Sequence, residues 1–325
     1  MEQIALVLAG GEGTRLFPAS QSDHPKQFLK LFDETSLLEN TLNRLSFVDT
    51  TYIITQERYT QKIQDITDTA NIIIEPAAKN TGPAMIYGAH EIAKNHGNPC
   101  VLATPSDHYI SGEFASTANN AMRTAQATDG LVTIGVEPTR PETEYGYIEP
   151  NEKIDDYYSV STFHEKPPLE RAKQYIDADY QWNSGIFAWQ PETLLQAASR
   201  SEPMKSFVKR LESDSPGKAF DKISPISIDE AVFEIATNVY MVSASFEWDD
   251  VGTWDALERI LDGDNTILGN AETIDASGNI LASDTHQINV IGVDDLIIAA
   301  YNDHVLVLPK HESRRVRELV NRLSE

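Results

Sequence analysis

The sequence predicts an α/β protein: a doubly wound, mostly parallel sheet, then a small β-rich module and a terminal helix. Three observations lead there. Up to about residue 136, near-continuous apolar runs ("IALVLA", "TYIIT", "NIIIEP", "CVLATP", "GLVTIGV") alternate with helical stretches. Strands apolar on both faces and separated by helices belong to a parallel sheet covered on both sides. After Leu261 the chain turns to short strands between turn residues, and Val316, Leu319, Val320 and Leu323 then share one face of a closing helix.

The first run ends in Leu8, Ala9, Gly10 and Gly11, with Gly13, Thr14 and Arg15 just beyond. A dinucleotide fingerprint started at Gly11 finds Gly13 but meets Leu16 where a small residue is needed. A P-loop started at Gly10 or Gly11 meets Arg15 or Leu16 in place of its second glycine. Two readings remain. One is a tight βα turn. The other is a bare backbone that approaches phosphate oxygens, with Arg15 and the Lys26 of "HPKQFL" adding cations.

The next well-marked element is a helix over 83–95. Thr81 is its expected N-cap and Pro83 suits its first turn. Met85, Ala89 and Ile92, with Ile86 and Ala93, form its apolar stripe, and its positive end follows "EPAAKNTG". From 140 to 262, strands near "YGYIEP", "YSVSTF" and "NSGIFAW" mix with helices near 168–178, 191–212 and 227–236. Ser227 and Glu230 form a capping-box pattern for the last of these. No linker divides this stretch. The expected division is therefore 1–262 and 263–325, within the size that one large domain plus an appendage allows.

Composition narrows the class. With 41% apolar residues and no apolar run of about 18, no membrane span is expected. The N-terminus lacks the basic segment of a signal peptide. A single cysteine, Cys100, sits in an apolar run; it fits a cytoplasmic protein and a buried, inert thiol. Fifty acidic against 26 basic residues give a net charge of −24, which repels nucleic acid and anionic membrane. A nucleotide site here needs local cations or a metal.

Several short stretches carry candidate chemistry. Asp107 in "TPSDHYI" lies just past a strand end and suits Mg²⁺, or a turn or helix cap; its neighbour His108 reads as a packing or hydrogen-bonding residue rather than a metal ligand. Asp249 and Asp250 in "FEWDDVGTWDAL" offer a second metal carboxylate, or cap the helix at 253–261. Glu165 and Lys166 in "FHEKPP" can meet sugar hydroxyls and a phosphate, or form an ordinary charged loop. Asn183 in "WNSG" is a neutral hydroxyl binder or a turn residue. Gly146 leaves bare backbone for a flat ring.

Taken together and in order, "LAGGEGTRLFPAS", "PKQFL", "EPAAKNTGPA", "TPSDHYI", "YGYIEP", "FHEKP", "WNSGIFAW", "SIDEAVFE" and "WDDVGTWDAL" resemble the mannose-1-phosphate guanylyltransferases of the sugar nucleotidyltransferase superfamily. The resemblance spans residues 8 to 257. It implies a Rossmann-like fold of nucleotidyltransferase type with a C-terminal β-helix-like module. It further implies transfer of GMP from GTP to mannose 1-phosphate by in-line attack on the α-phosphorus, releasing pyrophosphate. By the same resemblance, Leu8, Ala9, Gly10, Gly11, Gly13 and Thr14 hold the nucleotide together with Lys79, Asn80, Thr81, Gly82 and Pro83. Arg15 and Lys26 lie on the triphosphate, and Asp107 and Asp250 hold Mg²⁺. Glu165 and Asn183 bind sugar hydroxyls, Gly146 lies under the sugar, and Lys166 meets the sugar phosphate.

Three residues depart from the family pattern: Lys79 stands where arginine is common, Glu144 where glycine is common, and Asp249 where serine is usual. The β-rich tail resembles the short appendage of monofunctional members, so no isomerase activity is expected. A homodimer is an open expectation. Rival readings are the same chemistry on another sugar phosphate or nucleotide, a non-catalytic nucleotide-sugar-binding subunit, and a dinucleotide-dependent oxidoreductase.

Overall fold

A computed structural model describes residues 2–261 and 263–323. Its strands run in chain order as β1 (Gln3–Leu8), β2 (Thr50–Gln56), β3 (Asn71–Glu75), β4 (Cys100–Pro105), β5 (Tyr109–Gly112), β6 (Leu131–Val136), β7 (Tyr147–Ile154), β8 (Tyr157–His164), β9 (Gln181–Trp189), β10 (Val239–Ser243), β11 (Phe246–Asp249), β12 (Thr266–Ile274), β13 (Ile280–Ile291), β14 (Leu296–Tyr301) and β15 (His304–Pro309). The chain forms two compact units. One holds the residues up to Gly10, Arg44–Pro105 and Ile110–Trp248; the other holds Gly11–Asn43, Ser106–Tyr109 and the chain from Asp249 onward.

The first unit is the doubly wound sheet. Its nine strands stand in the order β3-β2-β1-β4-β9-β6-β10-β8-β7, with β5 and β11 paired separately. The strands read from apolar runs are parallel to their neighbours: β1 with β2 and β4, β2 with β3, and β6 with β10. β9 enters antiparallel between β4 and β6, and β7 and β8 form an antiparallel pair at the edge. The core lies where the helix Thr81–His96 and the helices Pro191–Ala198 and Glu202–Ser213 cover the sheet, burying Met85, Ile86, Ala89, Ile92, Leu194 and Phe207 against Ile4 and Leu6. Cys100 is buried as expected, and burial pushes its thiol up to about 12.

Local expectations needed three corrections. The N-cap of the long helix is Asn80, whose side chain accepts the Thr81 N–H at 2.8 Å. Thr81 instead uses its hydroxyl to accept the Ile228 N–H at 3.0 Å. The helix expected over 191–212 is two, broken at Ser199–Ser201. The Ser227–Glu230 capping box forms, but the segment that follows is a π-turn over Asp229–Phe233.

The second unit joins the glycine loop to the C-terminal strands. β12, β13 and β14 stack in parallel and β15 closes the sheet antiparallel, a β-helix-like arrangement. Its core gathers Leu16, Leu29, Leu37, Val251, Trp254, Leu257, Ile280 and Ile297. On the terminal helix Val316 is buried while Leu319 and Leu323 are exposed, so the apolar face read from sequence is covered only in part. Arg315 and Arg322 pair with glutamates of the same segment. The expected boundary residue, Asp262, lies outside the described residues. Among the described residues no helix is long and apolar enough to cross a membrane.

Candidate active site

The sequence-predicted residues fall into three groups. The first lies in the second unit. Gly13 has φ +60°, the left-handed backbone that favours glycine, and a Cβ there would stand 2.3 Å from Lys26 Cβ. The third glycine of the opening loop therefore exists to admit Lys26. That lysine is 5% exposed. Its ammonium lies 2.9 Å from Asp107 Oδ2 and donates to the Asp250 carbonyl at 2.5 Å. Burial alone would raise the Asp107 carboxyl. Lys26 and then His108 outweigh it and hold the group below the usual carboxylate range. Arg15 sits half-buried in the short turn Thr14–Leu16, anchored by the buried Leu16.

Among the described residues no cluster of three or more His, Cys, Asp or Glu is gathered around a metal position. Two carboxylates in one unit, Asp107 and Asp250, remain. That donor set suits Mg²⁺, which keeps waters and takes substrate phosphates to complete its octahedron. The residues present fit the ion.

The second group surrounds the end of β1 in the first unit. Gly11 belongs to the second unit; it is exposed, and a Cβ added to it meets nothing within 4 Å. Neither backbone conformation nor protein packing requires glycine there. Gly10 is different: its Cβ would stand 3.1 Å from Glu75 Oε2. Glu75, missed in the sequence, ends β3 and is 7% exposed, with Oε1 accepting the Lys79 N–H at 3.3 Å. Burial pushes its carboxyl up to about 7. Its signal was an acidic residue closing an apolar strand. Lys79 and Asn80 frame the loop; Asn80 holds φ +70°. Gly82 and Pro83 are buried, and the Gly82 N–H donates to the Ile226 carbonyl at 3.0 Å, so packing alone accounts for both.

The third group is also in the first unit. Gly146 is buried, and a Cβ there would come 2.9 Å from Glu165 Oε2 and 3.5 Å from Asn183 Cβ. Lys166 pairs with Glu165 at 2.8 Å, and that bond raises its ammonium. Asn183 Oδ1 accepts from Thr133 and from the Gly185 N–H, so its amide nitrogen faces Asp229 Oδ1 at 2.6 Å. Burial and then Glu165 push the Asp229 carboxyl up to about 6. Asp229 was also missed; in sequence it hides inside the capping box. Among the described residues, nine other than glycine have positive φ. Seven are Asp or Asn, which tolerate it, and the other two are Lys166 and Val251. Both lie beside predicted site residues.

Comparison with known proteins adds to this geometry. A family model described as nucleotidyl transferase matches residues 4–266, and one described as a MannoseP isomerase/GMP-like β-helix domain matches 269–323. An Escherichia coli protein named mannose-1-phosphate guanylyltransferase is 33% identical, over 98% of this chain and 75% of its own length. The chain belongs to the mannose-1-phosphate guanylyltransferase family of nucleotidyl transferases. A family member from Salmonella typhimurium is 34% identical over 99% of this chain and 73% of its own length. A solved structure from Thermus thermophilus, described as a mannose-1-phosphate geranyltransferase, superimposes over the whole of both chains with a TM-score of 0.92 at 36% identity.

Proposed function

We propose that the chain transfers GMP from GTP to mannose 1-phosphate. A phosphate oxygen of the sugar phosphate attacks the α-phosphorus, the bond from that phosphorus to the bridging oxygen breaks, and pyrophosphate leaves with the electron pair. The observation that carries the reading is the Lys26 ammonium, buried beside the glycine loop and held by Asp107 and the Asp250 carbonyl. It is a fixed cation on a strongly acidic protein, where two anions must meet. A phosphate monoester is already a nucleophile near neutral pH, so positioning and charge stabilisation suffice.

The residues take these roles. The bare Gly11 backbone approaches phosphate oxygens, and Lys26 and Arg15 bear on the triphosphate. Glu75 offers a carboxylate acceptor that matches the N1–H and N2–H donors of guanine, which adenine lacks. Glu165 and Asn183 orient sugar hydroxyls over Gly146, and Lys166 meets the sugar phosphate. Asp107 and Asp250 would hold Mg²⁺, which supplies neutralisation of charge on the phosphates. We further propose 1–262 as the catalytic domain and 263–325 as the β-rich module with its terminal helix, in a cytoplasmic enzyme; the two family matches change over near that boundary.

The test is pyrophosphate release with Mg²⁺, crossing GTP, ATP, UTP and dTTP against mannose, glucose and galactose 1-phosphates. Release confined to GTP with mannose 1-phosphate is expected. Release with another pair keeps the mechanism and moves the specificity. Silence from folded protein across every pair refutes the reading.

A further inference from the structure

The turn from Asp249 to Gly252 is held by more than its own backbone. Val251 has φ +49°, a left-handed conformation that a β-branched residue keeps only where its surroundings over-determine it. Those surroundings are explicit. The Val251 side chain is fully buried among Leu16, Trp254 and Leu257. Its N–H donates to Asp249 Oδ1 at 2.8 Å. Asp249 is itself buried, and Arg259 grips it with two prongs, Nε to Oδ2 at 2.7 Å and Nη2 to Oδ1 at 3.0 Å. The third prong, Nη1, donates to Asp255 Oδ2 at 2.8 Å, and the other Asp255 oxygen accepts the Ser313 hydroxyl at 2.8 Å.

This chain of bonds ends on Asp250. With Val251 left-handed, the Gly252 N–H donates to Asp250 Oδ1 at 3.1 Å, and the Asp250 carbonyl faces the Lys26 ammonium. A Cβ at 252 would stand 2.7 Å from Asp250 Oδ2, so any side chain there would displace that carboxylate. An ion pair serving stability alone needs no connection to a strained backbone. Here the same carboxylate holds both Arg259 and the amide next to Asp250.

We infer that Asp249 and Arg259 are positioning residues: their two-pronged pair clamps the strained 249–252 turn and so aims the Asp250 carboxylate and carbonyl. The inference rests on the reading of Asp250 as a metal-holding residue. Asp249 acts through Val251 and Asp250, with both of its carboxylate oxygens engaged by Arg259 and the Val251 N–H.

The test is Mn²⁺ binding to the full chain, followed by electron paramagnetic resonance of the free ion. It compares wild type with Asp249→Ala, Arg259→Lys and Asp250→Asn under conditions where each is folded by denaturant titration. Asp250→Asn is expected to weaken Mn²⁺ at least tenfold. Asp249→Ala is expected to weaken it about tenfold, the scale on which outer partners of metal ligands act. The metal concentration for half-maximal turnover should rise by a similar factor, with the KM for mannose 1-phosphate at saturating metal within twofold of wild type. Arg259→Lys keeps the charge and loses the fork, so it should resemble Asp249→Ala. If Asp249→Ala does not fold, Arg259→Lys carries the test. Wild-type Mn²⁺ affinity in Asp249→Ala or Arg259→Lys, with loss in Asp250→Asn, overturns the clamp and leaves the metal reading standing. Wild-type affinity in Asp250→Asn overturns both.

Discussion

Replacing Gly13 by alanine tests the central arrangement with a single methyl group. The new Cβ would lie 2.3 Å from Lys26 Cβ and 3.3 Å from the Lys26 backbone nitrogen. Carbon–carbon contacts open out at about 3.5 Å, so the two segments must part by about 1.2 Å. Lys26 is fixed at both ends, by its backbone and by the bonds of its ammonium at 2.9 Å and 2.5 Å. A displacement of that size breaks at least one of these bonds. A hydrogen bond to a charged group contributes about 1.5–3 kcal/mol. Alanine at φ +60° costs about 1–2 kcal/mol more. The expected loss of unfolding free energy is therefore about 3–5 kcal/mol, read by urea denaturation, with turnover reduced by at least tenfold in the protein that remains folded. Gly11→Ala is the matched control. Its Cβ meets nothing, so stability should stay within about 0.5 kcal/mol, as for most surface changes. Its KM for GTP should nevertheless rise, because the methyl group stands where phosphate oxygens approach. A Gly13→Ala protein within 1 kcal/mol of wild type and with twofold or smaller change in turnover would refute the reasoning.

Two further outcomes follow from the other groups. Burial raises the Glu75 carboxyl from 4.5 to about 7, so the folded chain binds this proton more tightly than the unfolded chain. The stability it contributes is full below about pH 4.5 and is lost as pH rises through 7, at up to about 1.4 kcal/mol per pH unit. Glu75→Gln should thus gain on wild type by about 2–3 kcal/mol between pH 4.5 and pH 8 in thermal or urea unfolding, and lose discrimination between GTP and ATP; a gain that does not change with pH would contradict the burial argument. Lys166→Ala should raise the KM for mannose 1-phosphate about tenfold or more and leave the KM for GTP near wild type; a change confined to GTP would move Lys166 out of the sugar-phosphate role.

The sequence by itself determined the parallel half of the sheet, because β1, β2, β4 and β6 are buried on both faces and leave an unbroken apolar record, while the edge strand β3 keeps an apolar run although Ile74 is exposed. It determined the family, because short motifs in a fixed order carry that signal whatever their separate ambiguity. It also determined that Cys100 is buried, from the apolar run around it. Only the tertiary structure decided the rest. β9 enters antiparallel between β4 and β6, yet as an apolar strand it reads like any other buried strand, and strand direction leaves no mark in periodicity. The purpose of Gly13 depends on Lys26, thirteen residues away, meeting it at a distance no sequence spacing encodes. Glu75 and Asp229 became visible when folding buried their carboxylates beside Gly10 and Asn183. Asp249 looked like a possible metal ligand or cap because two adjacent aspartates are equivalent on paper. The fold separates them by turning Val251 left-handed, which directs one carboxylate to Arg259 and the other to the Gly252 amide. Backbone strain of this kind is absent from composition and pattern alike; it exists only where packing from distant segments over-determines a single residue.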